Sequence, residues 1–191
     1  DTKTISSLGC YATNVLTALP VQNTQGVQKI FEIPSEAIAL QIQSILDDIY
    51  PDAIKIGMVH SLELVDIIAK QLKDYKGHIV YDPVMVSTSG HRLINEDTIQ
   101  ACKELLFPLA TLITPNLDEV SVLVDQKIDS TEKMVAAGEQ LLQSGVNAVL
   151  VKGGHLESEA DDLLFDGKNF TIFKGRRVNT IHTHGTGCTL S

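Results

Sequence analysis

From Ser35 onward, short apolar runs alternate with helical stripes, and this alternation limits the possible folds more than any other feature of the chain. Ile38, Ile42, Ile45 and Ile49 recur at three- and four-residue intervals, which predicts a helix that buries one stripe and ends before Pro51. "AIKIG", Ala53 to Gly57, then reads as a short buried strand. Ser61 is placed to cap a second helix carrying Leu64, Ile67, Ile68 and Leu72, and Gly77 ends it ahead of the strand "HIVYD", His78 to Asp82. A helix over Glu96 to Leu106 leads to "TLIT", Thr111 to Thr114, and another over Thr131 to Leu142 closes at Gly145 and feeds "NAVLVKGG", Asn147 to Gly154. Strands joined through helices predict an α/β fold, with a mostly parallel sheet covered on both faces. "DDLLFDGKNFTIFKGRRV" breaks the alternation, because Asp166-Gly167 between two apolar stretches favours an antiparallel hairpin near one edge.

Neither a repeat nor a low-complexity linker divides the chain, so residues 1–191 read as one domain, and a composition 43% hydrophobic and 20% charged can fill its core. The net charge of −9 argues against a nucleic-acid partner and against an anionic membrane. No apolar run reaches bilayer length, and "DTKTISSLGC" has neither the basic start nor the apolar core of a signal peptide. Cys10, Cys102 and Cys188 are far apart, which predicts free thiols and a cytoplasmic protein. The chain opens on Asp1 without an initiator Met and stops at Ser191 where a helix is starting, so both ends are expected to be truncated.

In open α/β sheets, ligands sit beyond the carboxyl ends of the strands. That rule selects Gly57 and Met58, Asp82 to Val84, Thr114 to Asn116, and Lys152 to Gly154. The closing "HTHGTGCTLS" adds a turn in which Gly185 and Gly187 free the backbone ahead of a helix start, where unpaired N–H groups favour an anion such as phosphate. His182 and His184 have no fixed third ligand and read as loop residues. Asn116 and Glu119 have capping-box spacing, which needs no ligand. Lys152 is equally ordinary as a lysine snorkelling from a strand end, and Gln22 as a surface-loop amide. An idle carboxylate at Asp82, by contrast, would be costly among the apolar neighbours of "YDPVM".

Taken together, "ALPVQNTQGV", "IKIGMV", "YDPVMVSTSGHRL", "ITPNLDEV", "VLVKGGH" and "THGTGCT" resemble the ribokinase-like superfamily, and within it the hydroxymethylpyrimidine/phosphomethylpyrimidine kinases of thiamin synthesis. The resemblance spans nearly the whole chain. It implies a three-layer α/β/α fold and a homodimer. It also implies a strand and glycine-rich turn ahead of Asp1 and further helix after Ser191. The implied activity is ATP-dependent phosphorylation of the hydroxymethyl group of 4-amino-5-hydroxymethyl-2-methylpyrimidine, then a second transfer onto the monophosphate, with ATP and Mg²⁺ as cofactors.

The same resemblance distributes the roles. Gly185, Thr186 and Gly187 hold the transferring phosphoryl, and Cys188 faces the substrate hydroxyl, where most of the superfamily carries aspartate. A helix N-terminus lowers a thiol's pKa from about 8.5 while a neighbouring phosphate raises it, so Cys188 is read as general base or as positioning group. Asp82 lies near metal and phosphates. Asn116 and Glu119 match an Asn-x-x-Glu signature that organises Mg²⁺ through water, and Thr114, Lys152 and Gly153 belong to the ATP end. Gln22, Met58, Val84 and Asp1 surround the pyrimidine, where a carboxamide offers both donor and acceptor. Thr88 stands where some members carry lysine, which weakens a basic phosphate contact from that loop. Three other readings stay open: a pyridoxal kinase of the same superfamily, a cysteine hydrolase using Cys188 with His182 or His184, and a non-catalytic nucleotide-binding domain.

Overall fold

The computed structural model describes residues 1–23, 26–85, 93–153, 161–176, 178 and 185–191. The short helix α1 (Thr2–Ser7) precedes an antiparallel pair, β1 (Ala18–Asn23) and β2 (Gly26–Glu32). Then follow α2 (Ser35–Asp48), β3 (Ala53–Ile56), α3 (Leu62–Leu72), β4 (His78–Tyr81), α4 (Glu96–Ala101), β5 (Leu112–Ile113), α5 (Leu117–Val124), α6 (Thr131–Leu142), β6 (Val149–Val151), β7 (Asp162–Phe165), β8 (Phe170–Phe173) and α7 (Thr186–Leu190). Strands β3 to β8 form one sheet in chain order, parallel from β3 to β6 and antiparallel from β6 to β8. The mostly parallel sheet and the hairpin at its β8 edge agree with the expected fold class. Gly167 supplies the turn with φ +84°, and Asp166 Oδ1 accepts from the N–H groups of Lys168 and Asn169 at 3.0 and 2.8 Å.

Coverage of the two sheet faces is unequal. Ile56, Ile79, Tyr81, Ile113, Val149, Val151, Leu163 and Phe165 point to one face and are all buried, whereas Val80, Leu112, Leu150 and Leu164 point to the other and are half-buried. Strand order explains this. When each parallel strand lies beside its predecessor, right-handed crossovers place successive helices on the same face. The packed face meets Ile99, Leu106, Phe107, Val120, Met134 and Leu141 in one continuous core. Among the described strands "AIKIG" lies at the edge of the sheet, and of Ala53–Ile56 only Ile56 is buried, so it is not the fully buried strand expected.

Helix ends obey capping chemistry with some departures. Ser61 accepts from the Leu64 N–H at 3.3 Å, as its position predicts. Ile49 lies outside the buried stripe of α2, at its C-cap and 46% exposed. Gly77 does not end α3, which stops at Leu72. A side chain there would place its Cβ 2.7 Å from the Asp52 carbonyl oxygen, so glycine serves a close approach of two strand starts. The Glu96 to Leu106 helix is α only to Ala101 and continues as a π turn over Cys102–Leu106, where the Tyr81 hydroxyl donates to Cys102 Sγ at 3.3 Å. The β1–β2 pair was not expected from the sequence. Pro20 reads against a strand, and the ladder carries an irregularity at Val21/Gln22.

Candidate active site

Alternation along the strands builds the site. Lys55 on β3, Asp82 after β4, Thr114 after β5 and Lys152 after β6 all fall on the half-covered face, at the carboxyl ends of adjacent parallel strands. Asp82 is their hub and is 2% exposed. Its Oδ1 accepts from Lys152 Nζ at 2.9 Å and from the Thr114 hydroxyl at 3.2 Å. Its Oδ2 accepts from the Ser191 hydroxyl at 3.1 Å and faces Lys55 Nζ at 3.8 Å. Lys55 in turn donates to both carboxylate oxygens of Asp1 at 3.1 Å. A buried carboxylate is tolerated here because cations and hydroxyls satisfy both of its oxygens.

Glu119 lies next to this hub as N3 of α5. The capping box is complete: the Asn116 N–H donates to Glu119 Oε2 at 2.8 Å and the Glu119 N–H donates to Asn116 Oδ1 at 3.0 Å. Burial pushes the Glu119 carboxyl up to about 7. The Asn116 N–H, the Lys152 charge and the Met85 N–H oppose the rise, and the charge on Asp82 adds to it. The ligand-free reading of Asn116 and Glu119 is thus realised, and the same residues still border Asp82 and Lys152.

The C-terminal turn reaches the same place. Gly185 takes φ +83° and caps α7, and Ser191 Oγ ties that helix to Asp82. A Cβ on Gly187 would lie 3.5 Å from Lys152 Nζ, so the glycine backbone approaches the ammonium closely. Cys188 is exposed. Gly153 has a structural reason to lack a side chain: a Cβ would collide with the Asp161 carbonyl oxygen, while its N–H donates to Asp162 Oδ1 at 2.9 Å.

The remaining expected residues are less tightly joined. Met58 is 36% exposed and Val84 half-buried, its N–H donating to the Asp82 carbonyl at 2.8 Å across Pro83. Gln22 is exposed, at the irregular point of β1. Thr88, Gly154, His182 and His184 lie outside the described residues. Sequence reasoning missed Lys55 and Ser191. A lysine inside an otherwise apolar strand was the available signal for Lys55.

The sequence model of the family described as "Phosphomethylpyrimidine kinase" matches residues 1–191. The chain is 42% identical over 193 residues to a hydroxymethylpyrimidine/phosphomethylpyrimidine kinase of Rhizobium meliloti, covering 100% of this chain and 73% of that protein. Among solved structures, phosphomethylpyrimidine kinase from Clostridium difficile superposes with a TM-score of 0.85 at 40% identity, over 91% of this chain and 76% of that one. An ADP complex of Bacillus subtilis pyridoxal kinase gives a TM-score of 0.88 at 32% identity, over 98% and 72%. With a family match along its whole length and a relative 42% identical over 193 residues, the chain belongs to the phosphomethylpyrimidine kinase family.

Proposed function

We propose that this chain phosphorylates 4-amino-5-hydroxymethyl-2-methylpyrimidine with ATP and then phosphorylates the resulting monophosphate, as a step of thiamin biosynthesis. The observation that carries the reading is the Lys152–Asp82–Lys55 cluster at the carboxyl ends of β3 to β6, with Gly187 of the Gly185-Thr186-Gly187-Cys188 turn beside Lys152 and Ser191 bonded to Asp82. Two ammonium groups facing Asp82, with a glycine backbone beside one of them, suit a transferring phosphoryl, whose transition state needs positioning and charge neutralisation.

In this reading Gly185, Thr186 and Gly187 present backbone N–H groups to the phosphoryl, and Lys152 neutralises its oxygens. Thr114, Asn116 and Gly153 line the ATP end. Cys188, exposed on the first turn of α7, faces the acceptor hydroxyl and takes its proton or holds it in line. Asp1, Gln22, Met58 and Val84 take the pyrimidine ring. Asp82 and Glu119 are the hard oxygen donors suited to Mg²⁺, and because lysines and N–H groups already occupy their oxygens, a water-bridged ion fits them better than direct ligation. Such an ion supplies charge neutralisation to the phosphates when bound.

Residues 1–191 are read as one domain of a homodimer, acting in a reducing cytoplasm where Cys10, Cys102 and Cys188 stay free. No helix among the described residues is long and apolar enough to cross a membrane. Family membership sets aside a cysteine hydrolase. A pyridoxal kinase is the second reading, favoured by the likeness to the Bacillus subtilis enzyme at a TM-score of 0.88.

The test is MgATP-dependent phosphorylation of hydroxymethylpyrimidine against pyridoxal by the full-length protein, with Cys188→Ala beside it. Turnover of the pyrimidine that falls about a hundredfold or more in the variant supports the assignment and the role of the thiol. Preference for pyridoxal moves the chain to the second reading, and no turnover of either leaves the non-catalytic nucleotide-binding reading.

A further inference from the structure

We propose that Lys55 is the cation for the charged acceptor: it binds the monoester phosphate during the second transfer and so lets one pocket serve both a neutral alcohol and a dianion. The inference rests on the two-step reading above. Its geometric basis is the position of Lys55 between the two ends of the site. Its Nζ is 3.1 Å from each carboxylate oxygen of Asp1, at the ring end, and 3.8 Å from Asp82 Oδ2, at the phosphate end. The junction of those ends is where the hydroxymethyl oxygen, and later its phosphate, must lie. Lys55 reaches that junction from β3 on a side chain 13% exposed.

The two transfers make different demands. In the first, the alcohol oxygen attacks the γ-phosphorus of ATP, the bond to the β–γ bridging oxygen breaks, ADP leaves, and the hydroxyl proton must go to a base. In the second, an oxygen of the monoester phosphate forms the new P–O bond and ADP leaves in the same way. With a second pKa of about 6, that phosphate already carries an unprotonated oxygen at neutral pH. The demand therefore shifts from removing a proton to tolerating a dianion beside the carboxylates of Asp1 and Asp82. Lys152 is engaged at 2.9 Å on Asp82 Oδ1. Lys55 holds Asp82 only at 3.8 Å and has a third ammonium proton not used on Asp1, so a compact point charge on a flexible stem can turn to the incoming phosphate.

The experiment compares kcat and KM for the alcohol and for the monophosphate in the full-length protein and in Lys55→Met, Lys55→Arg and Cys188→Ala. Lys55→Met is expected to raise KM for the monophosphate about tenfold or more beyond any rise for the alcohol, the loss of one charge-assisted contact. Lys55→Arg keeps the charge and holds the ratio of the two KM values within about threefold of the unaltered protein. Cys188→Ala shows the reverse bias, depressing kcat for the alcohol more than for the monophosphate. Equal losses for both acceptors in Lys55→Met mean that Lys55 merely holds Asp1 and overturn the inference. If Lys55→Met does not fold, the same comparison is made with Lys55→Gln. No turnover of either acceptor by the unaltered protein overturns the two-step reading itself, which a selective effect or an equal loss would leave standing.

Discussion

Glu119 is held by the hydrogen bonds of an ordinary helix cap, yet its burial beside Asp82 changes the consequence of its charge. Its carboxyl is pushed from 4.5 up to about 7 when the chain folds, chiefly by burial. The unfolded chain therefore releases this proton at lower pH than the folded one. The stability that Glu119 contributes is fully present below pH 4.5 and is lost as pH rises toward 7. A shift of this size corresponds to a few kcal/mol at most. Glu119→Gln keeps a side chain that can close the capping box but cannot ionise. In urea titrations across this range, the midpoint of the unaltered protein is expected to fall relative to Glu119→Gln between pH 4.5 and 7 and to run parallel above it. Parallel curves throughout would show that the carboxyl is not desolvated. The pairing of Asn116 with Glu119 was legible in the sequence because it depends on spacing within one helix turn. The partners of Asp82 were only half legible. Lys152 and Thr114 sit at predicted strand ends, but Lys55 and Ser191 lie 27 and 109 positions away along the chain and join Asp82 only once strand order and the course of α7 are fixed.

Elements, not residues, decide which face the chemistry occupies, because a two-residue period sends Tyr81 into the core and Asp82 to the opposite face. Helix α6 closes the packed face over the sheet with Gly138, where any Cβ would collide with the ring of Phe165 on β7, Phe165 itself being 2% exposed. Gly138→Ala gains up to about 1 kcal/mol of helix propensity but forces apart a well-packed pair at about 1–3 kcal/mol. We expect a net destabilisation of about 1–2 kcal/mol, read as a lower urea midpoint with unchanged slope. A stability gain would instead show that Phe165 yields freely. The bounds of α6, Thr131–Leu142, agree with those read from the sequence, and Ser130, which that reading did not single out, caps the helix by accepting from the Lys133 N–H at 3.4 Å. The π turn at Cys102 was not, because the shift from α to π there accompanies contacts to Tyr81 and the core rather than a local sequence signal. Unequal coverage of the sheet escaped for a similar reason: the order of strands and the hand of their crossovers set which face the helices take.

At the scale of the molecule, the β1–β2 pair leaves large apolar side chains exposed among the described residues. Leu19, Val21, Ile30 and Phe31 are each between 45% and 52% exposed, and a two-stranded ribbon of this kind is marginal in water unless something packs against it. Leu19 stands opposite Phe31 in the ladder and Val21 opposite Lys29 on the same side, where the Lys29 ammonium lies 4.3 Å over the Phe31 ring, so this side of the ribbon is apolar with one cation set on it. A second copy of the chain is the partner we assign to it, with pairing that must cover on the order of 800 Å² per subunit to be stable. Sedimentation velocity on the full-length protein is expected to show a dimer. The double variant Leu19→Lys with Phe31→Glu replaces the apolar pair by an opposite-charge pair suited to the same cross-strand register, so the ribbon survives while its apolar side does not. This variant should sediment as a monomer with an unchanged circular dichroism spectrum. A monomeric unaltered protein, or a variant that stays dimeric, would remove β1–β2 from the interface. If the dimer dissociates but the kinase activity proposed above persists, the phosphoryl site formed by Asp82, Lys152 and Lys55 is self-sufficient within one subunit.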